Sequence, residues 1–426
     1  MRTHRSFEIN SLLQSKNALL QWAKGSEHVV WLDSNSHRDQ YSSFDACLAI
    51  GASQILKTVD ELQTFLNQET DWLFGYFSYD FKNQVEDLTS ENLDVLEFPI
   101  LQFFQPNKII IIEDGQLHFK YLAAYADEID ADFSEIAQFQ GTSQKQQNGP
   151  AKIKMRIHKD AYFEKADRFL EHIHRGDIYE ANFCQEFYSE DISIDPWDAY
   201  QKLNSISEPP FASFVRLGHR YLMCASPERY IKKIGQKVIS QPIKGTAPRG
   251  NDAIEDERIK DELSRDEKER AENIMITDLV RNDLSKSAVK GSVQVEELCK
   301  PYTFKQVHQL ISTIVSTVER DANPMDIIKE TFPMGSMTGA PKISAMKIIE
   351  DLEDTKRGLY SGTVGYFDPN GNFDFNVVIR SILYNAAKQY LSFSVGSAIT
   401  AKSDPEKEYQ ECLLKAKAMR TVLEEG

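Results

Sequence analysis

The 426-residue sequence lacks any run of about 18 apolar residues, the length that a membrane-spanning helix requires. Its opening stretch, MRTHRSFEINSLLQSKNALLQW, also lacks the apolar segment and the small-residue cleavage site of a secretory signal. The five cysteines are odd in number and form no C-x-x-C, which argues against a disulfide framework and a structural zinc site. We therefore expect a cytoplasmic protein with no membrane partner.

Positive charge is scarce relative to negative charge. The formal net charge is −16, so the surface as a whole repels nucleic acid and acidic membranes, and we expect no nucleic-acid partner. The same charge would repel a small anionic ligand. A site for such a ligand must therefore supply its own arginine, lysine or metal ion.

The common motifs of nucleotide binding and of serine nucleophiles are absent. The glycine-rich segments KGTAPRG (244–250) and GSMTGAPK (335–342) lack the Gly-Lys-Ser/Thr order of a Walker A loop, and no G-x-S-x-G occurs. Backbone N–H groups of 338–340 could still face an anion, but a capped helix without ligand is the simpler reading. His172 and His174 lie two apart on a predicted helix, cannot share one face, and are interpreted as structural.

Hairpin patterns dominate the secondary structure that the sequence predicts. Turns are expected at 113–115, 218–219, 235 and 369–371, and β-α-β alternation is weak, which favours an α+β fold with antiparallel sheets. The polar, aperiodic stretch FQGTSQKQQNGPAK predicts a linker at 139–152. The chain then divides into an N-terminal half at 1–138, which we expect to be interwoven with the rest, and a catalytic region at 153–426.

Two pairs of glutamates have helical i,i+3 spacing. Glu269 and Glu272 lie in a long charged helical segment, and Glu408 and Glu411 lie on the last helix, so each pair occupies one helical face. Two such faces in contact would form an oxygen-rich site suited to Mg²⁺. A chain with 65 acidic residues also contains such pairs by chance, and solvated surface positions are the alternative.

The stretch QPIKGTAPRG (241–250) predicts a shaped loop that presents Lys244. Proline fixes φ and glycine permits positive φ, so the loop would hold the amine in one place. Most lysines are simply solvated, which is the plain alternative. For covalent chemistry Lys244 is nevertheless the best-placed nucleophile, because a desolvated lysine can lose its proton and attack.

Several long segments together resemble the chorismate-utilising enzymes. The resemblance spans about 161–418 and rests on GDIYEANF, SPERY, PIKGTAPRG, RAENIMITDLVRNDLSKSAVKGSVQV, TFPMGSMTGAPKISAMKIIEDLE, RGLYSGTVGY and DPEKEYQECLLKAKA. It implies a single interwoven unit of the anthranilate synthase component I type, with two antiparallel sheets packed face to face and helices outside. It also implies that chorismate binds together with Mg²⁺.

The resemblance assigns roles to particular residues. Glu272 and Glu411 would be the direct metal carboxylates with Glu269 and Glu408 beside them, and Glu228 would be the general acid. Arg380 and Lys415 would meet the substrate carboxylates. The remaining pocket residues that it implies are Gly245, Thr246, Thr338, Gly339, Tyr360 and Gly396.

Within the family, Lys244 favours the aminodeoxychorismate synthase component I branch, whose members resemble PIKGTxPRG, whereas anthranilate synthases have alanine there. The implied reaction adds the Lys244 amine at ring C2, after which ammonia enters at C4 and yields 4-amino-4-deoxychorismate, a precursor of p-aminobenzoate and folate. Ammonia would come from a separate glutamine amidotransferase subunit. Anthranilate synthase component I and an inactive, partner-binding homologue are the alternatives. Glu180, Gln309 and Ala398 depart from the family pattern.

Overall fold

The computed structural model describes residues 1–9, 11–139 and 150–424. The N-terminal part of the chain is rich in strands because apolar and aromatic residues alternate with polar ones there. Its strands are β1 Arg2–Glu8, β2 His28–Asp33, β3 Ala46–Leu56, β4 Leu73–Phe77, β5 Leu101–Glu113 and β6 Gln116–Leu122. Its α-helices are α1 Leu12–Trp22, α2 Val59–Gln68, α3 Lys82–Val85 and α4 Ile129–Gln138.

The rest of the chain contributes the remaining strands and the longest helices. The strands are β7 Lys154–Met155, β8 Glu180–Ser189, β9 Phe211–Leu217, β10 Arg220–Ser226, β11 Arg229–Ile234, β12 Lys237–Gln241, β13 Ile243–Pro248, β14 Gln294–Thr303, β15 Val307–Thr317, β16 Gly339–Ala340, β17 Thr363–Phe367, β18 Phe373–Asn376, β19 Ser381–Asn385 and β20 Tyr390–Thr400. The helices are α5 Lys159–Arg175, α6 Pro196–Ser207, α7 Ala253–Arg265, α8 Glu267–Ser285, α9 Pro324–Thr331, α10 Lys342–Leu352 and α11 Pro405–Glu424.

The strands form one hydrogen-bonded network with two arms that meet at β5. The first arm runs β5–β3–β2–β9–β10–β19–β20–β8, and β8 also pairs with β7 and β16. The second arm runs β5–β4–β17–β18–β11–β12–β15, and β15 also pairs with β13 and β14. The ladders between these strands are antiparallel, as the hairpin patterns predict.

Two hydrophobic clusters explain how the arms pack. One cluster lies between the arms and joins Val215 and Leu222 of the first arm to Ile231 and Phe375 of the second. The other lies between the first arm and the helices α5, α6 and α11. The α+β fold with two packed antiparallel sheets and outer helices is therefore confirmed.

The N-terminal strands enter both arms. β2 pairs with β9, and β4 pairs with β17, so segments almost 300 residues apart in sequence lie side by side. The division of the chain at 139–152 stays a prediction, and residues 140–149 of the expected linker lie outside the described residues. Among the described helices, none is long and apolar enough to cross a membrane.

Most local predictions are confirmed, and two need correction. Gly176 ends α5 in the left-handed conformation, and the Asp404 carboxylate accepts a hydrogen bond from the Glu406 amide at the start of α11. The charged segment 252–289, however, is two helices rather than one, because Asp266 has extended backbone angles and caps α8 with its side chain. Residues 339–340 form a short strand against β8 rather than an open anion loop, and α10 begins after Pro341.

Candidate active site

The candidate site lies where the far ends of the two arms meet. Lys244 on β13 is held by Asn273 of α8, whose side-chain amide donates to the carbonyl oxygens of Lys244 and Leu310, each at 3.0 Å. The next residue, Gly245, has φ +93°, and a Cβ there would lie 3.1 Å from Leu310 and 3.3 Å from Glu269. Glycine is therefore needed for both backbone conformation and close approach to α8. The predicted loop is strand β13 in the structure, with a register shift between Ile243 and Thr246 that departs from a plain strand.

Lys244 faces a partner that the sequence did not reveal. Its ammonium donates to Glu180 Oε1 of β8 at 2.7 Å, and the Glu180 side chain is 1% exposed. Burial by itself lowers the pKa of Lys244, but the carboxylate of Glu180, with smaller contributions from Glu272 and Glu228, outweighs burial and raises that pKa above its ordinary value. The unliganded site therefore holds Lys244 as an ammonium ion.

Glu228 lies in the turn between β10 and β11 and is buried. Burial raises the pKa of Glu228 to about 7, while the backbone amide of Ile243 and the charge of Lys244 act in the opposite direction. A carboxyl group with a pKa near 7 can both hold and release a proton at neutral pH. Glu228 thus has the ionisation behaviour that a general acid needs.

The four glutamates of the predicted metal site lie around one lysine. All four carboxylates raise the pKa of Lys268, against burial, which lowers it. Glu272 is raised to a pKa of about 7, mainly by burial, with Lys244 opposing and Glu180 adding to the effect. Burial also raises the pKa of Glu269, with Lys268 opposing it. The two helices α8 and α11 therefore bring their carboxylates into one electrostatic environment.

Three of the four carboxylates nevertheless have side-chain neighbours of their own. Glu411 accepts from Lys415 at 2.7 Å, Glu272 lies 3.8 Å from Lys268, and buried Glu408 accepts a hydrogen bond from Ser397. Within the described residues, no three His, Cys, Asp or Glu side chains converge closely enough to hold a metal ion. The magnesium site stays a prediction.

The donor chemistry still fits a hard divalent cation. The site offers carboxylate oxygens, and several of them are buried close enough to disfavour one another's charge. A cation between α8 and α11 would relieve this repulsion. Glu272 and Glu411 would hold it, with Glu269 and Glu408 beside them.

Arg380 and Lys415 are the cations that the resemblance assigns to the substrate carboxylates. The backbone of Arg380 has φ +49°, which is uncommon for arginine, and among the described residues no acceptor contacts its guanidinium. Burial lowers the pKa of Arg380, and no neighbouring carboxylate opposes this effect. Lys415 donates to Glu411 and, at 2.8 Å, to the carbonyl oxygen of Gly396. An unpaired, half-buried guanidinium is suited to a ligand carboxylate.

The remaining pocket residues pack tightly on β8. A Cβ on Gly396 would lie 2.7 Å from Cys184 Sγ, and one on Gly339 would lie 2.0 Å from the carbonyl oxygen of Glu180. Tyr360 is buried, and burial raises its pKa well above the ordinary value. The Thr338 hydroxyl lies 3.3 Å from the carbonyl oxygens of Met334 and Gly335, so it bonds within its own turn.

The positions that depart from the family pattern have separate surroundings. Gln309 on β15 is opposite Thr246, and its side-chain nitrogen lies 3.5 Å from the Thr246 hydroxyl. His308, one residue earlier, is fully buried and lies 2.9 Å from Asp256 of α7. Ala398 lies on β20 opposite Asn182.

Other motifs prove structural. Lys342 of the second glycine-rich segment donates to Asp283 at 2.5 Å and to two backbone carbonyls, so it is not available to a phosphate. Asp278 pairs with Arg281 at 2.7 Å on the surface of α8. His172 lies 2.8 Å from Asp177 just beyond α5. The contacts of Lys342 and His172 agree with the structural interpretation of the second glycine-rich segment and of that histidine.

A separate cleft is lined by Arg229 and contains neither Lys244 nor Glu228. It encloses about 990 Å³ including its open mouth, and it contains none of the glutamates of the carboxylate pairs. Arg229 bonds to Asp374 there at 3.0 Å, and Tyr302 and Phe304 line one wall. We take Lys244 rather than this cleft as the candidate site, because among the described residues Lys244 lies near Glu228 and Glu272.

Comparisons with known proteins show which family the chain resembles. The profile of the chorismate binding enzyme family matches residues 11–421. The aminodeoxychorismate synthase component 1 of Escherichia coli is 34% identical over 82% of this chain and 76% of its own length. The anthranilate synthase component I-like protein of Synechocystis is 35% identical over 83% of this chain and 72% of its own.

Solved structures show the same architecture. The anthranilate synthase component I of Streptococcus pneumoniae superposes with a TM-score of 0.78 at 25% identity, covering 90% of this chain and 94% of the other. The fold and the site thus define a chorismate-utilising enzyme. The chain belongs to the chorismate binding enzyme family.

Proposed function

We propose that the protein is an aminodeoxychorismate synthase component I, which converts chorismate and ammonia to 4-amino-4-deoxychorismate. The observation that carries this proposal is the position of Lys244, whose buried amine lies in the same site as Glu228 and Glu272. The relative from Escherichia coli supports it by name. The relative from Synechocystis is named after anthranilate synthase, so the residues of the site have to decide between the two reactions.

The proposed chemistry replaces the C4 hydroxyl of chorismate by ammonia in two successive substitutions. The neutral amine of Lys244 attacks ring C2 while the C4 hydroxyl leaves as water with a proton from Glu228, and the ring double bond shifts. Ammonia then attacks C4, the C2–N bond breaks, and its electron pair returns to Lys244. The product ammonium gives a proton back to Glu228, so both side chains are regenerated.

The charges of the site suit a dianion in a protein of net charge −16. The unpaired guanidinium of Arg380 would bind one carboxylate, and Lys415 would contribute at the other. Mg²⁺ held by Glu272 and Glu411 would neutralise carboxylate charge when bound. These three cations together would reverse the surface potential locally.

The ammonia supply is the other half of the proposal. Relatives named component 1 imply a second subunit, and we propose a glutamine amidotransferase in that role. With ammonium salts supplied, the isolated chain would still make product. The proposed pathway is p-aminobenzoate and folate biosynthesis.

Incubation with chorismate, Mg²⁺ and ammonium followed by mass spectrometry of the products tests the reaction. Aminodeoxychorismate supports the proposal, anthranilate with pyruvate supports anthranilate synthase, and unchanged chorismate indicates an inactive homologue. Lys244→Ala should abolish C4 amination, whereas Lys290→Ala, which alters an exposed lysine, should not. Amination at the wild-type rate by Lys244→Ala would contradict the nucleophile role.

A further inference from the structure

One ion pair joins the far ends of the two sheet arms. Glu180 begins β8 in the first arm, and Lys244 lies on β13 in the second. Their side chains meet at 2.7 Å, with 1% of the glutamate and 12% of the lysine side chain exposed. A hydrogen bond of this length between buried charged groups fixes the position of the amine.

Other charged groups face Lys244 from three further elements. They are Glu272 of α8, Glu228 before β11 and Glu411 of α11, and each acts on Lys244 electrostatically. Within the described part of the chain, Glu180 is the side chain whose oxygen the ammonium contacts. A proton that leaves Lys244 without crossing solvent therefore has Glu180 as its nearest acceptor.

The proposed reaction requires that proton to leave. An ammonium ion has no lone pair, so Lys244 cannot form a bond to C2 in the state that the structure shows. Release to bulk water is hindered because both side chains are buried. A base within hydrogen-bond reach removes this obstacle.

We propose that Glu180 is the proton acceptor that frees the amine of Lys244, an inference that rests on the proposed function. One proton moves from Lys244 Nζ to Glu180 Oε1, leaving a neutral amine and a carboxylic acid. The amine lone pair forms the C2–N bond. When ammonia later displaces the lysine, the amine recovers its lone pair, and Glu180 returns the proton.

The second oxygen of Glu180 agrees with this role. Oε2 is buried and has no hydrogen-bond partner among the described residues, so the carboxylate is only half satisfied as an anion. Transfer of the proton replaces two buried charges by two neutral groups, which burial favours. A glutamine at this position could not take the proton, so the route depends on the carboxylate.

The test is the pH dependence of adduct formation on Lys244, measured by intact mass with chorismate and Mg²⁺ but without ammonium. In Glu180→Gln the proton of Lys244 must leave to solvent. The rate of adduct formation in this variant, divided by the wild-type rate, should therefore rise with pH, by up to about tenfold per pH unit. The effect of Glu228 ionisation is common to both proteins and cancels in the ratio. Glu180→Asp keeps a carboxylate, so the ratio of its adduct-formation rate to the wild-type rate should change much less with pH.

Glu190→Gln is the matched control, because Glu190 lies just beyond the same strand and pairs with Lys154 on the surface. Its rate ratio to wild type should not change with pH. A ratio for Glu180→Gln that is also independent of pH would overturn the proposal.

A second measurement does not depend on chorismate. Cyanate labels neutral amines, and peptide mass spectrometry gives the rate at Lys244 relative to exposed Lys290. Glu180→Gln should label Lys244 at least about threefold faster, because burial then acts on the amine without the carboxylate that opposes it most strongly. Equal labelling overturns the role of Glu180. Faster labelling in a protein that never forms the adduct overturns the proposed function instead.

Discussion

At the scale of single residues, the site combines groups whose protonation is set by burial. Glu228 and Glu272 both have pKa values of about 7, and burial is the main cause for each. Lys244 is held protonated by Glu180. A sequence motif could identify Glu228 and Lys244, but not Glu180, because the partner of Lys244 lies 64 residues away on another strand.

The first prediction concerns the acid. Because the pKa of Glu228 is raised to about 7, the group is protonated below that pH, and turnover should fall as pH rises through about 7. Glu228→Gln should lower kcat by about 10²–10⁴-fold and remove this dependence. The measurement is kcat against pH at saturating Mg²⁺, so that ionisation of Glu272 does not limit cation binding. Unchanged kcat in the variant would contradict the assignment.

The second prediction concerns substrate binding. Arg380→Gln should raise KM for chorismate at least about tenfold, because a charged hydrogen bond to a carboxylate contributes about 1.5–3 kcal/mol. The free energy of unfolding should change little, since the guanidinium has no hydrogen-bond or ion-pair partner to lose among the described residues. Arg320→Gln, on the exposed surface, is the control and should leave KM unchanged. Equal KM values in all three proteins would exclude Arg380 from the site.

At the scale of elements, local signals were sufficient for turns and caps but not for pairing. Gly176, Gly235 and Asp404 mark element ends through their own backbone or side-chain chemistry, so the sequence predicts them. The break at Asp266 was missed because charged helical periodicity continues on both sides of it. Which strands join across almost 300 residues depends on long-range packing that no short window contains.

The buried pair of Asp283 on α8 and Lys342 on α10 provides an element-scale prediction. Lys342→Met should lower the free energy of unfolding by about 3–5 kcal/mol, because it leaves the buried Asp283 charge with only the more distant and exposed Lys286, at 3.5 Å. Adding Asp283→Asn should recover part of the loss. Denaturant unfolding measures both, with exposed Lys347→Met on the same helix as control. A loss below 1 kcal/mol would contradict this account.

The close approach of β13 to α8 provides a second prediction at the scale of elements. Gly245→Ala should destabilise the protein more than Gly291→Ala, since both have positive φ but only Gly245 has atoms within 4 Å of the added Cβ. We expect about 1–2 kcal/mol from the backbone at each site and further loss from crowding at Gly245. Activity should fall only for Gly245→Ala, because it displaces Lys244. Equal effects in unfolding experiments would contradict the crowding argument.

At the scale of the whole molecule, the site exists only because the two arms close on each other. Lys244 belongs to the second arm, whereas Glu180 and Gly396 belong to the first, and α8 and α11 bring in the carboxylates. The fold therefore turns residues spread over more than 200 positions into one pocket. With a net charge of −16, an anionic ligand would need cations in the site itself, and Arg380 and Lys415 would supply them under the proposed function.

The central claim is that Lys244 forms a covalent bond to the substrate. Peptide mass spectrometry after incubation with chorismate and Mg²⁺, without ammonium, tests it most directly. We predict that the peptide containing Lys244 gains the mass of chorismate less one water, and that adding ammonium removes this mass and releases aminodeoxychorismate. Formation of aminodeoxychorismate at the wild-type rate by Lys244→Ala, with no such adduct in the wild type, would contradict the account.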